Sequence, residues 1–144
     1  MSNPIPFRIV ELLTQNVEIN KTFKPAEVQD IEVKTQFTFG VNTALKRVRI
    51  TGFYQYKCKD EMLVSMELVT SFDVEPQAFD SMIKDGTFTL ETGFMQYLAT
   101  INVGAARGEI HARCEASNSP LVSFVLPPIN LVEAIKDKLE IKVS

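Results

Sequence analysis

The chain has 144 residues, 45% of them apolar and 23% charged, and 15 Lys+Arg against 18 Asp+Glu give a net charge of -3. At roughly 150 residues per domain this is one domain over 1–144, and the composition excludes collagen, coiled coil and wholesale disorder. The charge is too mild for a nucleic-acid binder, whose affinity rests on phosphate contacts, and no stretch approaches the ~20 apolar residues of a membrane span.

The opening MSNPIPFRIVELL carries one early cation, Arg8, and not the basic-then-apolar plan of a secretory signal, so a cytoplasmic location is expected. Phe7–Thr22 reads as the first strand. Phe7 and Ile9 share one parity, Val10 and Leu12 the other, and Val17 and Ile19 return to the first. Such a change implies a bulge, or cover on both faces. A loop follows over 21–30, broken by Pro25.

Three runs then alternate with period two, the mark of half-buried antiparallel strands. Ile31, Val33, Phe37, Phe39 and Val41 share one face; so do Val48, Ile50, Tyr54, Tyr56 and Cys58; so do Met62, Val64, Met66, Leu68, Phe72 and Val74. The joint Lys59-Asp60-Glu61 makes the last two a hairpin. Leu63, Val69 and Phe53 fall on the opposite, mainly polar face. Residues 44–59 carry Lys46, Arg47, Arg49, Lys57 and Lys59 without an acid, whereas 60–91 are strongly acidic. On neighbouring strands these charges pair across the sheet; the other reading is a docking surface.

Gln77–Lys84 reads as a short helical turn and Thr87–Leu90 as extended. A long helix is expected from about Thr92, its N-cap, to Ala116, with Phe94, Tyr97, Leu98, Ile101, Ala105 and then Ile110 or Ala112 at helical spacing. Gly104 and Gly108 lie four apart on one face of it. Each weakens a helix by roughly 0.5–1 kcal/mol relative to Ala, so the pair suggests close approach of another helix. Asn118-Ser119-Pro120 stops the helix. The run LVSFVLPPINL is apolar yet non-helical at Pro127-Pro128, and a short helix over about Leu131–Leu139 closes the chain.

The chemical inventory is sparse. Cys58 and Cys114 have no CxxC neighbour and are expected as reduced thiols; with the single His111 they cannot make a four-ligand zinc site. There is no GxSxG, GxxxxGK[ST], HExxH or GxGxxG motif, so neither an enzyme nor a cofactor or nucleotide is expected. The apolar inventory is the unusual part: 10 Phe, 5 Met and 3 Tyr with no Trp. Met and Phe can line a groove that repacks around different apolar partners, or simply fill a core.

The order of four antiparallel strands, long helix, proline-bearing apolar loop and short last helix resembles the SecB family of export chaperones. The residues that carry the resemblance are FRIVELLTQNVEI in the first strand, Met66-Glu67-Leu68 in the central hairpin, YLATINVGAARGEIHARCEAS in the helix, and Leu126, Pro128, Asn130 and Leu131 of FVLPPINLVEAI. It implies an α+β fold, with a four-stranded antiparallel sheet packed on a long helix. It also implies a homotetramer built as a dimer of dimers, with the Gly104/Gly108 face at a subunit contact. The partners would be unfolded client polypeptides, held without ATP in apolar grooves; the matching groove positions are Val33, Thr35, Phe37, Phe124 and Leu126. Thr35 is polar where the family is commonly aliphatic. For docking to the SecA motor, Glu67 matches an acidic position, whereas Asn16 and Asn20 stand where acids are expected and the chain stops at Ser144 without the family's tail; SecA binding is therefore doubtful. The alternatives are a module dedicated to one partner, such as a toxin–antitoxin pair, and a small-ligand-binding or enzymatic α+β domain with a closed pocket.

Overall fold

The computed structural model describes residues 5–22 and 31–143. The loop expected around Pro25 lies almost wholly outside them. Four strands, β1 (Phe7–Ile19), β2 (Ile31–Asn42), β3 (Arg47–Cys58) and β4 (Glu61–Val74), form an antiparallel sheet in the order β1-β4-β3-β2. The fold is therefore α+β, with this sheet against one long helix. Register follows the apolar alternation. Val33 faces Tyr56, Phe37 faces Gly52, and Tyr54 faces Met66, so the even residues of β3 and β4 and the odd residues of β2 share one face. That face is the core, because a period-two apolar row has to lie on one side of a pleated strand.

The parity change in β1 has a bulge at each end of its middle section, where pairing slips between Ile9 and Glu11 and between Gln15 and Glu18. Asn16 absorbs the second with φ 53°. The other expectation, cover on both faces, is not met within this chain: Ile9 is 52% and Leu12 60% exposed. A third bulge, between Tyr56 and Lys57 of β3, corrects one assignment at the β3–β4 hairpin. Met62, expected inside, is 36% exposed and Leu63 is buried, because a one-residue slip exchanges the two faces. The expected cross-strand charge pairing is present at one position, Arg47 on β3 with Asp73 on β4. Arg47 grips Asp73 at 2.6 Å, Lys46 reaches Asp80 at 2.9 Å, and Arg49 turns instead to Glu11 on β1.

Beyond the sheet come α1 (Pro76–Ser81), β5 (Ile83–Lys84), β6 (Thr87–Leu90), α2 (Thr92–Ala116), a 3-10 turn (Pro120–Ser123), α3 (Leu131–Ala134) and β7 (Leu139–Lys142). Helix α2 has the expected limits, but Thr92 is its first helical residue and the cap position is Glu91, which makes no side-chain capping bond. Its buried face is also rotated from expectation. Met95, Leu98, Ala99, Asn102, Val103, Ala106, Ile110 and Cys114 face the sheet, while Tyr97 is exposed and Phe94, Ile101 and Ala105 are half-buried. Among the described residues nothing lies within 4 Å of a Cβ built on Gly104 or Gly108, so none of them supplies the expected close neighbour.

The last helix is shorter than expected. It ends at Ala134, and residues 139–142 form β7, which pairs with β6 in a second sheet of order β5-β6-β7. Ile135 is buried and its carbonyl accepts from Gln96 Nε2 at 2.9 Å, which turns the chain out of the helix. The helical turn expected over Gln77–Lys84 is present as α1 but ends at Ser81; Ile83 and Lys84 instead form β5, joined to β6 by a hairpin in which Asp85 and Gly86 both take positive φ, as a two-residue turn between twisted strands requires.

Candidate functional site

Residue types on β2 place one row of side chains at the rim of the core. Val33, Thr35 and Phe37 alternate inward and are half-buried, while Lys34 and Gln36 point to the other face. β2 is an edge strand: β3 lies on one side and, among the described residues, no strand on the other. Its twelve residues pair with β3 without a register shift. The floor behind the row is Tyr54 and Tyr56. Phe37 meets Tyr54 edge-on at 6.2 Å, and Phe124 meets Tyr56 edge-on at 5.0 Å.

The irregular loop between the 3-10 turn and α3 forms the opposite wall. Two prolines keep it extended, and Arg107 of α2 holds it. Arg107 donates from Nε to the Leu126 carbonyl at 2.7 Å and from Nη2 to the Pro127 carbonyl at 3.1 Å. These bonds place Leu126 inward, where it is 2% exposed, and leave Phe124 and Ile129 half-buried against the same cluster. Val33, Phe37, Phe124 and Leu126 therefore meet over one patch of core, with Thr35 between the first two on β2. Leu126 belongs to the packed core of that patch rather than to its open rim.

A buried polar network sits beneath. Tyr54 donates to Asn102 Oδ1 at 2.5 Å, and Asn102 Nδ2 donates to the Leu68 carbonyl at 3.1 Å and to Thr70 Oγ1 at 3.0 Å. Gly52 makes the room, since a Cβ there would lie 2.7 Å from Tyr54 Cε2 and collide with Asn102 Oδ1. Burial raises the Tyr54 phenol pKa, with nearby Arg107 opposing. Burial and then the Cys114 thiol raise that of Tyr56, again with Arg107 opposing. The Tyr56 hydroxyl has no hydrogen-bond partner among the described residues.

Sequence reasoning missed Arg107, Asn102 and the two tyrosines as parts of this site. A signal existed for Arg107: it is the first charge after fifteen uncharged helical residues, 92–106. Asn102 was legible as the one amide within the buried stripe. The open trough that touches Val33 and Thr35, about 580 Å³, lies on the opposite face, among Lys34, Gln36, Phe53 and Gln55. It is not an enclosed apolar pocket.

The remaining candidates lie apart. Glu67 is half-buried on the opposite face, where Asn16 Nδ2 donates to its carboxylate. Cys58 and Cys114 are both buried and are not joined in a disulfide; burial pushes the Cys114 thiol pKa up, with its hydrogen bond to Ser119 opposing. His111 is exposed on α2, 3.7 Å from Glu115. No group of three or more His, Cys, Asp or Glu among the described residues could hold a metal, and no described helix is long and apolar enough to cross a membrane.

No family model and no curated protein matches the chain. Among solved structures it is similar to a SecB-like chaperone from Mycobacterium tuberculosis, solved in complex with a peptide from the HigA1 antitoxin. That similarity has 14% identity and a TM-score of 0.47, covering 86% of this chain and 91% of the other.

Proposed function

We propose that this protein is an ATP-independent holdase that captures extended, apolar polypeptide along the β2 edge and its facing loop. One observation carries the reading: a twelve-residue edge strand without a bulge, whose inward row Val33, Thr35 and Phe37 is only half covered and stands against half-covered Phe124. An edge strand offers unpaired backbone N–H and C=O groups to an added strand. The half-buried row takes every second side chain of that strand, which is how strand addition divides affinity from specificity. Binding of this kind uses no nucleotide and no reacting group.

The assembly we propose is a homotetramer, a dimer of dimers. It is supported by apolar surface that this chain leaves uncovered, namely Ile9 and Leu12 on β1 and Tyr97 beside the Gly104/Gly108 face of α2. Glu67 is already engaged by Asn16, so we assign it no motor-docking role, and the reading includes no SecA step. Clients in the cytoplasm, in export or in a toxin–antitoxin pair would use the same edge.

Aggregation suppression on a chemically unfolded, unrelated protein tests the function, with titration of Phe124→Ala and Leu126→Ala beside it. Phe124→Ala should weaken client binding severalfold while lowering stability by about 1 kcal/mol, since a half-buried ring has less burial to lose. Leu126→Ala should lower stability by about 2–5 kcal/mol, as a core truncation does. Wild-type protein that neither suppresses aggregation nor binds the unfolded chain refutes the reading.

A further inference from the structure

The Tyr56 side chain poses a problem that packing alone does not answer. It is 0% exposed, it stands next to Val33 of the edge strand, and its hydroxyl has no partner among the described residues. A buried hydroxyl without a partner is unfavourable, and phenylalanine would fill the same space without that penalty. The neighbouring Tyr54 shows the ordinary solution, a 2.5 Å bond to Asn102. Tyr56 lacks it while lying at the site where we propose that clients bind.

The donors around this patch narrow what the hydroxyl is for. Pro127 and Pro128 have no N–H, so the loop wall cannot donate there. Arg107 directs its Nε and one Nη2 donor to the Leu126 and Pro127 carbonyls. An extended client brings a carbonyl at every residue, and carbonyls need donors. Besides the backbone N–H groups of the β2 edge, the Tyr56 O–H is a donor that no described residue uses. On the loop side, the half-buried Phe124 ring stands edge-on against the Tyr56 ring. Phe124 sits between two fixed points, the end of the 3-10 turn, where its N–H bonds to Leu121 O at 2.9 Å, and the Arg107 clamp at Leu126.

We infer that Tyr56 is a client-recognition residue of the groove, whose hydroxyl donates to a main-chain carbonyl of the bound polypeptide once Phe124 turns aside. The inference rests on the proposed holdase reading and adds a sequence-independent polar contact to its apolar ones. It also divides the labour of the two tyrosines. Tyr54 fixes the helix to the sheet, and Tyr56 meets the client.

The test is Tyr56→Phe in the full chain, with a denaturant melt and titration of two labelled, lysine-flanked peptides. One contains only Leu, Val and Ala between the lysines; the other adds Ser, Asn and Tyr. The expected result is an unchanged or raised melting midpoint, with about two- to tenfold weaker binding of both peptides, the worth of one neutral hydrogen bond. A lowered midpoint overturns the inference, because the hydroxyl then already has a partner, such as an internal water, in the free protein. Unchanged affinity for the all-aliphatic peptide also overturns it, since that peptide can be reached only through its main chain. If wild-type protein binds neither peptide, the holdase reading itself falls, and the inference with it.

Discussion

Replacing Asn102 with leucine keeps the approximate volume of a buried side chain and removes all of its hydrogen bonds. Three partners lose a bond: the Tyr54 hydroxyl, the Leu68 carbonyl and the Thr70 hydroxyl. At about 1 kcal/mol net per bond, with a further ~1–3 kcal/mol for leaving the buried Tyr54 hydroxyl bare, the loss is about 4–6 kcal/mol. Against a total of roughly 5–15 kcal/mol for a domain, that is large enough to read without ambiguity. Urea unfolding should show a lower midpoint with an unchanged slope, since the surface exposed on unfolding is the same. Adding Tyr54→Phe to Asn102→Leu should cost little more than Asn102→Leu alone, because the hydroxyl being removed is already bare; the pair is coupled and a double-mutant cycle measures it. If Asn102→Leu unfolds at the wild-type midpoint, the network does not hold α2 to the sheet, and the room left by Gly52 has another cause.

Two further tests address the charges and the open helix face. The Arg47 side chain, hydrogen-bonded to Asp73, holds that carboxyl below its usual range with Arg8 adding to the effect; the associated stability is present in full above about pH 4 and is lost as pH falls through the lowered value. Melts between pH 6 and pH 2 should therefore fall less steeply for Asp73→Asn than for wild type, and parallel curves would remove the pair from the account. A side chain at Gly104 or Gly108 enters open space in a single chain, so the double Leu variant should be no less stable as a monomer; light scattering should show it smaller than wild type, and a wild-type monomer would refute both the tetramer and the use of this face.

The elements most legible in the sequence are those with long, uninterrupted periods. Helix α2 and the inner strands announce themselves through spacing, and their limits match. What the sequence hides is where a period slips. At the β3–β4 hairpin one extra residue exchanges Met62 and Leu63 between faces, and no residue type there marks it. Near the C-terminus, LEIK alternates like a strand but is too short to outweigh the helical run before it, so 131–139 reads as one helix. Asp85-Gly86 joins a hairpin whose first strand, Ile83–Lys84, is only two residues long and so shows no alternation. In the site, the β2 row was legible because it has a period. The inward turn of Leu126 was not, because an irregular loop has none: its orientation is fixed by Arg107, nineteen residues away along the chain.

The two edges of the main sheet are unequal, and the inequality bears on which one would serve the proposed clients. β1 is interrupted twice, and one of its residues takes positive φ. Bulges twist an edge and break the run of evenly spaced backbone groups that a new strand needs. β1 therefore offers side chains, Ile9 and Leu12, more readily than a backbone ladder, which suits a fixed partner of complementary shape such as a second copy. β2 lacks this protection. Its register is unbroken over twelve residues, its inward row is half covered, and its outward Lys34 and Gln36 leave the backbone edge free of apolar obstruction. A sheet whose second edge were equally exposed without purpose would invite edge-to-edge aggregation. One long edge without a register shift, beside a proline-bearing apolar loop, is the feature that favours the proposed capture of extended chains over a closed binding pocket.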